Sequence, residues 1–278
     1  SRLVLRDLKV RKKENETIPL KDLFSCMPPL EAWKTMLSLM VSLKTSKRGK
    51  PLKMAVFDIS RAHFYGKLSR SVYAELPEEE KANHPGRDVC AKLKKSWYGL
   101  QDASSIWQAD YTELMEEFAY KKGKSNSAIF YNPSEDSRAL VHGDDFGVLG
   151  DQDAIDSFEA MLATKYEFKK LANLGFEPKD DKTCSFLNRV ISVDAESLPK
   201  KITFEPDARQ AHLLIKDLNL ENASGVETLA EHRSADKQLE DTLSKPLGAE
   251  QKTLHRSCTM RGAYLAKDDP RIAEAVKN

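Results

Sequence analysis

Apolar residues recur at helical spacing in Leu30-Glu-Ala-Trp-Lys-Thr-Met-Leu-Ser-Leu-Met-Val-Ser-Leu43, where Trp33, Met36, Leu37 and Met40 share one face behind Pro28-Pro29. The same spacing returns over 104–119 (Ile106, Trp107, Tyr111, Leu114, Met115, Phe118) and over 153–165 (Ile155, Phe158, Met161, Leu162). The acidic start of the latter suits a helix N-terminus. Between these helices lie short runs of strand character: Met54-Ala-Val-Phe57, Ala128-Ile-Phe-Tyr131, and the two halves of Ala139-Leu-Val-His-Gly-Asp-Asp-Phe-Gly-Val-Leu-Gly150. Asn132-Pro-Ser-Glu-Asp makes the turn into the last of these. Further on, the pattern predicts strands at 185–193 and 201–204, then a helix over 206–218. Residues 221–250 mix Glu, Ser, Ala, Lys and Gly without a period and read as a linker. From Asp58 on the order is strand, helix, strands, helix, strands, which predicts an α+β fold.

The chemistry concentrates at Asp144-Asp145. Two adjacent carboxylates beside a bend at His142-Gly143 predict a hairpin with the acids at its tip. An Asp pair at a turn is by itself ordinary turn chemistry. A third acid, Asp58, ends the strand Met54-Ala-Val-Phe57, and three carboxylates on two adjacent strands would form an all-oxygen site. Such a site suits magnesium and phosphate chemistry. Net charge is only +1, so nucleic-acid binding would rest on local patches such as Lys9–Lys13, Lys44–Lys50, Lys92–Lys95 and Lys121–Lys124. Four scattered cysteines without a Cys-x-x-Cys pair read as reduced, mostly buried thiols of an intracellular protein, neither a zinc site nor a disulfide framework. No apolar stretch approaches the ~18 residues of a membrane span, so no membrane partner is expected.

Four blocks stand in order along the chain: Asp58-Ile-Ser-Arg-Ala-His-Phe-Tyr-Gly66, Val72-Tyr-Ala-Glu-Leu-Pro77, Leu93-Lys-Lys-Ser-Trp-Tyr-Gly-Leu-Gln-Asp-Ala103 with Trp107, and His142-Gly-Asp-Asp145 before Val148-Leu-Gly150. Together they resemble the reverse transcriptase of copia-type retrotransposons. That family carries Asp-x-x-x-Ala-Phe-Leu-x-Gly, Ile-Tyr-Met-x-x-Pro, Leu-Lys-x-Ser-Leu-Tyr-Gly-Leu-Lys-Gln-Ala-Pro-x-x-Trp, then Tyr-Val-Asp-Asp. Arg2-Leu-Val resembles the opening of the family's fingers, Ser185-Phe-Leu-Asn-Arg-Val-Ile its post-catalytic strand, and 255–272 its closing segment. His142-Gly143 stand where the family has Tyr-Val, Gln101, Asp102 and Ser104 where it has Lys, Gln and Pro, and Asn188 where it has Gly.

The resemblance implies a right-hand polymerase with fingers and a split βαβ (ferredoxin-like) palm over 1–220, the linker 221–250, and a helical thumb- or connection-like remnant at 251–278. It implies an RNA-directed DNA polymerase that takes deoxynucleoside triphosphates and a primed RNA or DNA template, using Mg2+ with Mn2+ as a substitute. Asp58, Asp144 and Asp145 would be catalytic metal ligands, Asp145 the weaker, with the Ile59 carbonyl completing the set. Arg2, His63, Phe64, Tyr98, Gly99 and Gln101 would contact nucleotide or template. His63 takes the place of an aromatic that excludes the ribose 2′-hydroxyl, with Phe64 as the alternative. Integrase and ribonuclease H regions are expected in a parent polyprotein, located in cytoplasmic virus-like particles with access to the nucleus. Two other classes share these features: an inactive nucleic-acid-binding relic, and a metal-dependent nuclease or phosphohydrolase using the same three carboxylates. The sequence offers no further His/Asp/Glu cluster to hold a hydrolytic water for the latter.

Overall fold

The computed structural model describes residues 4–7, 18–19, 23–225 and 246–277. It divides into two compact units, one of residues 1–184 with 193–202, the other of residues 185–192 with 203–278. The strand over 201–206 is divided between the two units, and the helix over 209–217 belongs to the second.

The first unit is built on a six-stranded sheet. Its strands are β1 (Lys53–Ile59), β4 (Lys121–Lys122), β5 (Ile129–Asn132), β6 (Ser137–His142), β7 (Asp145–Gly150) and β8 (Phe168–Leu174), in the order β4-β5-β6-β7-β1-β8. Every pairing is antiparallel. A small ribbon, β2 (Tyr73–Glu75) with β3 (Cys90–Lys92), stands apart from it. Among the described residues the unit's long helices are α1 (Leu30–Leu43), α2 (Ala103–Glu117) and α3 (Gln152–Ala163), with a single helical turn at Glu78–Lys81.

Strand alternation sorts the sheet into two faces. Ala55, Phe57 and Ile59 of β1, Ala139 and Val141 of β6, and Phe146 and Val148 of β7 face one way. There they pack with Trp107, Tyr111, Leu114 and Met115 of α2 and Ile155, Phe158, Met161 and Leu162 of α3 in one buried cluster. The opposite face of β1 and β7 carries Met54, Val56 and Asp58 against Leu149, Gly147 and Asp145. Trp33 of α1, wholly buried, lies over this face: a Cβ on Gly147 would stand 2.0 Å from the edge of its ring. Only glycine fits there.

Loop 44–50 is fastened by its own charges. Asp151, fully buried, caps α3 by accepting from the Ala154 amide at 3.1 Å, and also accepts from the Ser46 hydroxyl and the Arg48 guanidinium. Lys47 pairs with Asp136 and Lys50 with Asp153. The charges of Lys47, Arg48 and Lys50 in this candidate patch are therefore paired with the protein's own carboxylates.

β8 has no counterpart among the strands expected from sequence. Its register against β1 slips between Val56 and Phe57, so that Val56 faces Ala172 but Phe57 faces Lys170. The extra residue of that bulge breaks the two-residue alternation by which a strand is recognised. The single strand expected over 185–193 is instead a hairpin of β9 (Thr183–Phe186) and β10 (Arg189–Asp194). Leu187 and Asn188 turn it with φ of 50° and 57°, the left-handed pair of a type I′ turn. β11 (Lys201–Pro206) completes a three-stranded sheet with them. The cysteines also differ from expectation: Cys184 alone is buried, Cys26 and Cys258 are half-buried and Cys90 is exposed, all four being free thiols.

In the second unit, α4 (Arg209–Asp217) packs on α5 (Ala249–Leu265), which is followed by α6 (Pro270–Lys277). Arg189 pairs with Asp268 at 2.9 Å and lies over the ring of Tyr264. The Tyr264 hydroxyl donates to the Asn188 carbonyl and accepts from the Asp207 amide. Helices α5 and α6 occupy the C-terminal segment, while 226–245 of the expected linker lie outside the described residues.

Gly147→Ala is expected to cost about 1–3 kcal/mol through overpacking against Trp33. Part of that loss should return in Gly147→Ala/Trp33→Phe, as read by a chemical-denaturation double-mutant cycle; additive losses would contradict the packing described.

Candidate active site

The acids expected to act together are brought together by β1 and β7. Asp58 and Asp145 are direct register partners, and Asp144 sits in the two-residue turn between β6 and β7. Gly143 opens that turn at φ 69°, which glycine adopts without strain and which a II′ hairpin requires at this position. The Ile59 amide donates to the Asp144 carbonyl at 2.9 Å. Ile59 and Asp144 thus occupy a hydrogen-bonded position of the ladder. Asp58 and Asp145 then fall on a non-bonded one, where facing side chains approach more closely. Asp58 and Asp145 are half-buried, Asp144 exposed.

Like charges placed opposite one another oppose their own ionisation. Burial, then Asp144 and Asp58, push the Asp145 carboxyl up to about 6. Burial first and Asp144 second also raise Asp58, while Lys169 pulls it back down. Lys169 is the register partner of Asp58 on the other flank of β1. The β8 bulge puts it there: Lys170 turns instead to Glu159 of α3 and the Phe57 ring, and Phe168 packs edge-on against Phe57. Nothing in the sequence pattern singles out Lys169, because the bulge that aims it has no sequence signature.

Among the described residues, no three His, Cys, Asp or Glu side chains form a ready-made metal cage. The donor set still fits a hard divalent cation. It is all oxygen and carries excess negative charge, and Mg2+ is commonly held by one or two carboxylates together with substrate phosphates rather than by an all-protein shell.

The residues expected to meet nucleotide or template fall into two groups. His63 and Phe64, in a 3-10 turn after β1, meet Tyr98: His63 edge-to-face at 4.9 Å and Phe64 at 5.3 Å, with Phe64 also against Trp97 at 4.6 Å. Gly99 and Gln101 are instead engaged with the N-terminal segment Val4–Asp7. Gly99 has φ 94°, and a Cβ there would stand 2.0 Å from the Leu5 carbonyl oxygen. The Leu5 amide donates to the Tyr98 carbonyl, and the Gln101 side-chain amide donates to the Asp7 carbonyl at 2.6 Å. Asp102 is buried and takes a two-pronged bond from Arg70, which also reaches Asp7. Gln101 and Asp102 thus act inside the fold at two positions where the resembled motif has Lys and Gln. Arg2 and the basic run Lys9–Lys13 lie outside the described residues.

Residues 12–177, well over half of the chain, match the family model described as reverse transcriptase (RNA-dependent DNA polymerase). The chain belongs to that family, as its four ordered sequence blocks led one to expect. It is similar to the retrovirus-related Pol polyprotein from transposon TNT 1-94 of Nicotiana tabacum, with 24% identity over 99% of this chain and 19% of that protein. The chain thus spans about a fifth of the length of that relative. Among solved structures it is similar to an apo telomerase of Candida tropicalis truncated of its C-terminal domain, at TM-score 0.38 and 12% identity over 65% of this chain and 41% of that one. It is also similar to a telomerase of Candida albicans in complex with a TWJ fragment of telomeric RNA, at TM-score 0.38 and 10% identity over 92% of this chain and 45% of that one.

The raised Asp145 carboxyl has a consequence for stability. Its folded value of about 6 exceeds the ~3.9 of an unfolded aspartate, so the folded state holds the proton longer. The contribution is present below about pH 4 and is lost as pH rises through about 6; Asp58, shifted the same way, adds to it. In buffer free of divalent cations, Asp145→Asn should gain a few degrees of thermal midpoint over wild type at pH 7.5 and little at pH 4. A gain of equal size at both pH values would contradict the electrostatic account.

Proposed function

We propose that this chain is the polymerase segment of a copia-type retrotransposon polyprotein and extends a primer 3′-hydroxyl on an RNA or DNA template with deoxynucleoside triphosphates. The observation that carries this is the register of β1 against β7, which sets Asp58 opposite Asp145 and holds Asp144 in the adjoining turn. The sheet order β8-β1-β7-β6, crossed by α2 and α3, supports a split βαβ, ferredoxin-like palm. The N-terminal segment would belong to the fingers and the C-terminal helices to a thumb- or connection-like portion.

Asp58 and Asp144 are the principal ligands for the divalent metal, Mg2+ or Mn2+, with Asp145 weaker and the Ile59 carbonyl a further oxygen. When bound, the metal supplies Lewis acidity that favours the 3′-alkoxide and offsets triphosphate charge. The chain's own residues do the rest. The paired strands keep the carboxylates at a fixed separation, so the reacting groups meet in one orientation. His63 and Phe64 both pack edge-on against Tyr98, and in this reading His63, or Phe64 in its place, would exclude the sugar 2′-hydroxyl. Tyr98 offers a stacking face to a base. Gln101 and Gly99 serve this surface indirectly, by docking the segment Val4–Asp7 beside it, and Arg2 would contact the nucleotide. In the parent protein, integrase and ribonuclease H regions would accompany this segment in a cytoplasmic particle with access to the nucleus.

Primer extension on oligo-dT-primed poly-rA with Mg2+ tests the reading. Wild type should extend the primer, while Asp144→Asn and Asp58→Asn should abolish extension and keep a thermal midpoint at or above that of wild type. Removing a repelling charge while keeping side-chain shape leaves folding intact. No extension by folded wild type that binds the primed duplex would instead indicate an inactive nucleic-acid-binding relic.

A further inference from the structure

The tip of the catalytic hairpin is held from outside the hairpin at both of its carbonyls. A two-residue turn on a free hairpin points its carbonyls at solvent, and its tip can tilt with the local twist. Here the Asp144 carbonyl accepts from the Ile59 amide at 2.9 Å, and the Gly143 carbonyl accepts from the Trp107 indole Nε1–H at 2.7 Å. The two donors come from different elements, a central strand and the helix α2, so the turn is clamped across its width.

The indole that makes the second bond is itself immobilised. Trp107 is 2% exposed and is ringed by aromatic side chains: Tyr111 at 5.4 Å, Tyr166 at 5.1 Å, Phe146 at 6.3 Å and Tyr65 at 6.4 Å between ring centroids. Phe146 is the residue after Asp145, so the same indole grips the hairpin by packing on one side and by hydrogen bonding on the other. Trp107, Gly143 and Asp144 also line one cavity of about 510 Å³ with His63 and Tyr111. The turn therefore has room to shift if its tether is cut. An indole N–H is a donor only, and buried indoles are placed where it can be used.

We infer that Trp107 is a positioning residue: its indole N–H, bonded to the Gly143 carbonyl, fixes the turn that presents Asp144. This rests on the reading of Asp144 as a metal ligand in primer extension. The residue acts through the backbone of the turn and touches none of the reacting groups. Its packing and its hydrogen bond are separable, because Trp107→Phe keeps an aromatic ring in the cage and removes the donor.

The test is amide hydrogen exchange on the full chain, with primer extension beside it. The Ile59 amide, bonded to the Asp144 carbonyl, reports on the turn directly. In Trp107→Phe its exchange should quicken at least about tenfold while amides in the middle of the β1–β7 ladder keep wild-type protection. The extension rate at saturating Mg2+ should fall about tenfold to a hundredfold, the scale set by small misplacements of reacting groups, and half-maximal Mg2+ should rise. Wild-type protection at Ile59, or a uniform loss across the whole ladder, overturns the inference, since a merely structural residue would act in one of those ways. If Trp107→Phe fails to fold, benzothienylalanine at position 107 keeps the indole's shape without the donor, and the same amide decides. If wild type itself does not extend the primer, the polymerase reading fails while the Ile59 amide still judges the tether.

Discussion

Strand β1 is paired on both sides, and the site follows from its register. On one flank Asp58 meets Asp145, and on the other it meets Lys169. Strand side chains alternate with a period of two, so a slip of one residue against β7 would turn Asp58 into the aromatic core and Phe57 out of it. Phe57, Phe146 and Val148 are fully buried in that core, and each is worth about 1.5–3 kcal/mol when buried. Like charges directly opposite one another are destabilising, but a register slip would displace three such core side chains at once. Core packing therefore wins, and it holds the carboxylates in a pairing they would not adopt by themselves.

The carboxylates lower this penalty in two ways within the chain itself. Asp145 holds its proton toward neutral pH, and the β8 bulge turns Lys169 to the side of Asp58. Neither is a complete answer, since Asp144 remains exposed beside both acids. A bound divalent cation would offset what is left. The hairpin that carries Asp144 is meanwhile kept from relaxing away by the Ile59 amide and the Trp107 indole. Two uncharged groups, the Ile59 amide and the Trp107 indole, thus help to set the charge density of the site.

Much of this could be read from the sequence. Helix α1 begins and ends where its Trp33, Met36, Leu37 and Met40 spacing predicts. The Asp144 hairpin and the Asp58 strand were legible because alternating apolar runs bracket their acids. What escaped was whatever depends on broken periodicity or on tertiary partners. β8 hides behind its bulge, and the turn at Leu187-Asn188 lies inside an apolar run whose Asn adopts a left-handed backbone. Trp107 reads as one more residue of a core stripe, and only the fold shows where its N–H is aimed. Gln101 had a role suggested by motif position, yet its side chain is committed to Asp7, a partner ninety-four residues away in the chain.

Paired strands hold three carboxylates in mutual repulsion, which a bound cation would relieve. The most direct measurement is the thermal midpoint of wild type and of Asp58→Asn against Mg2+ concentration at pH 7.5, without nucleotide or template. Wild type should show a saturable rise and the variant, which has already lost one of the opposed charges, a much smaller one. Equal rises in both proteins, or none in wild type up to concentrations that support polymerisation, would contradict this relief of repulsion.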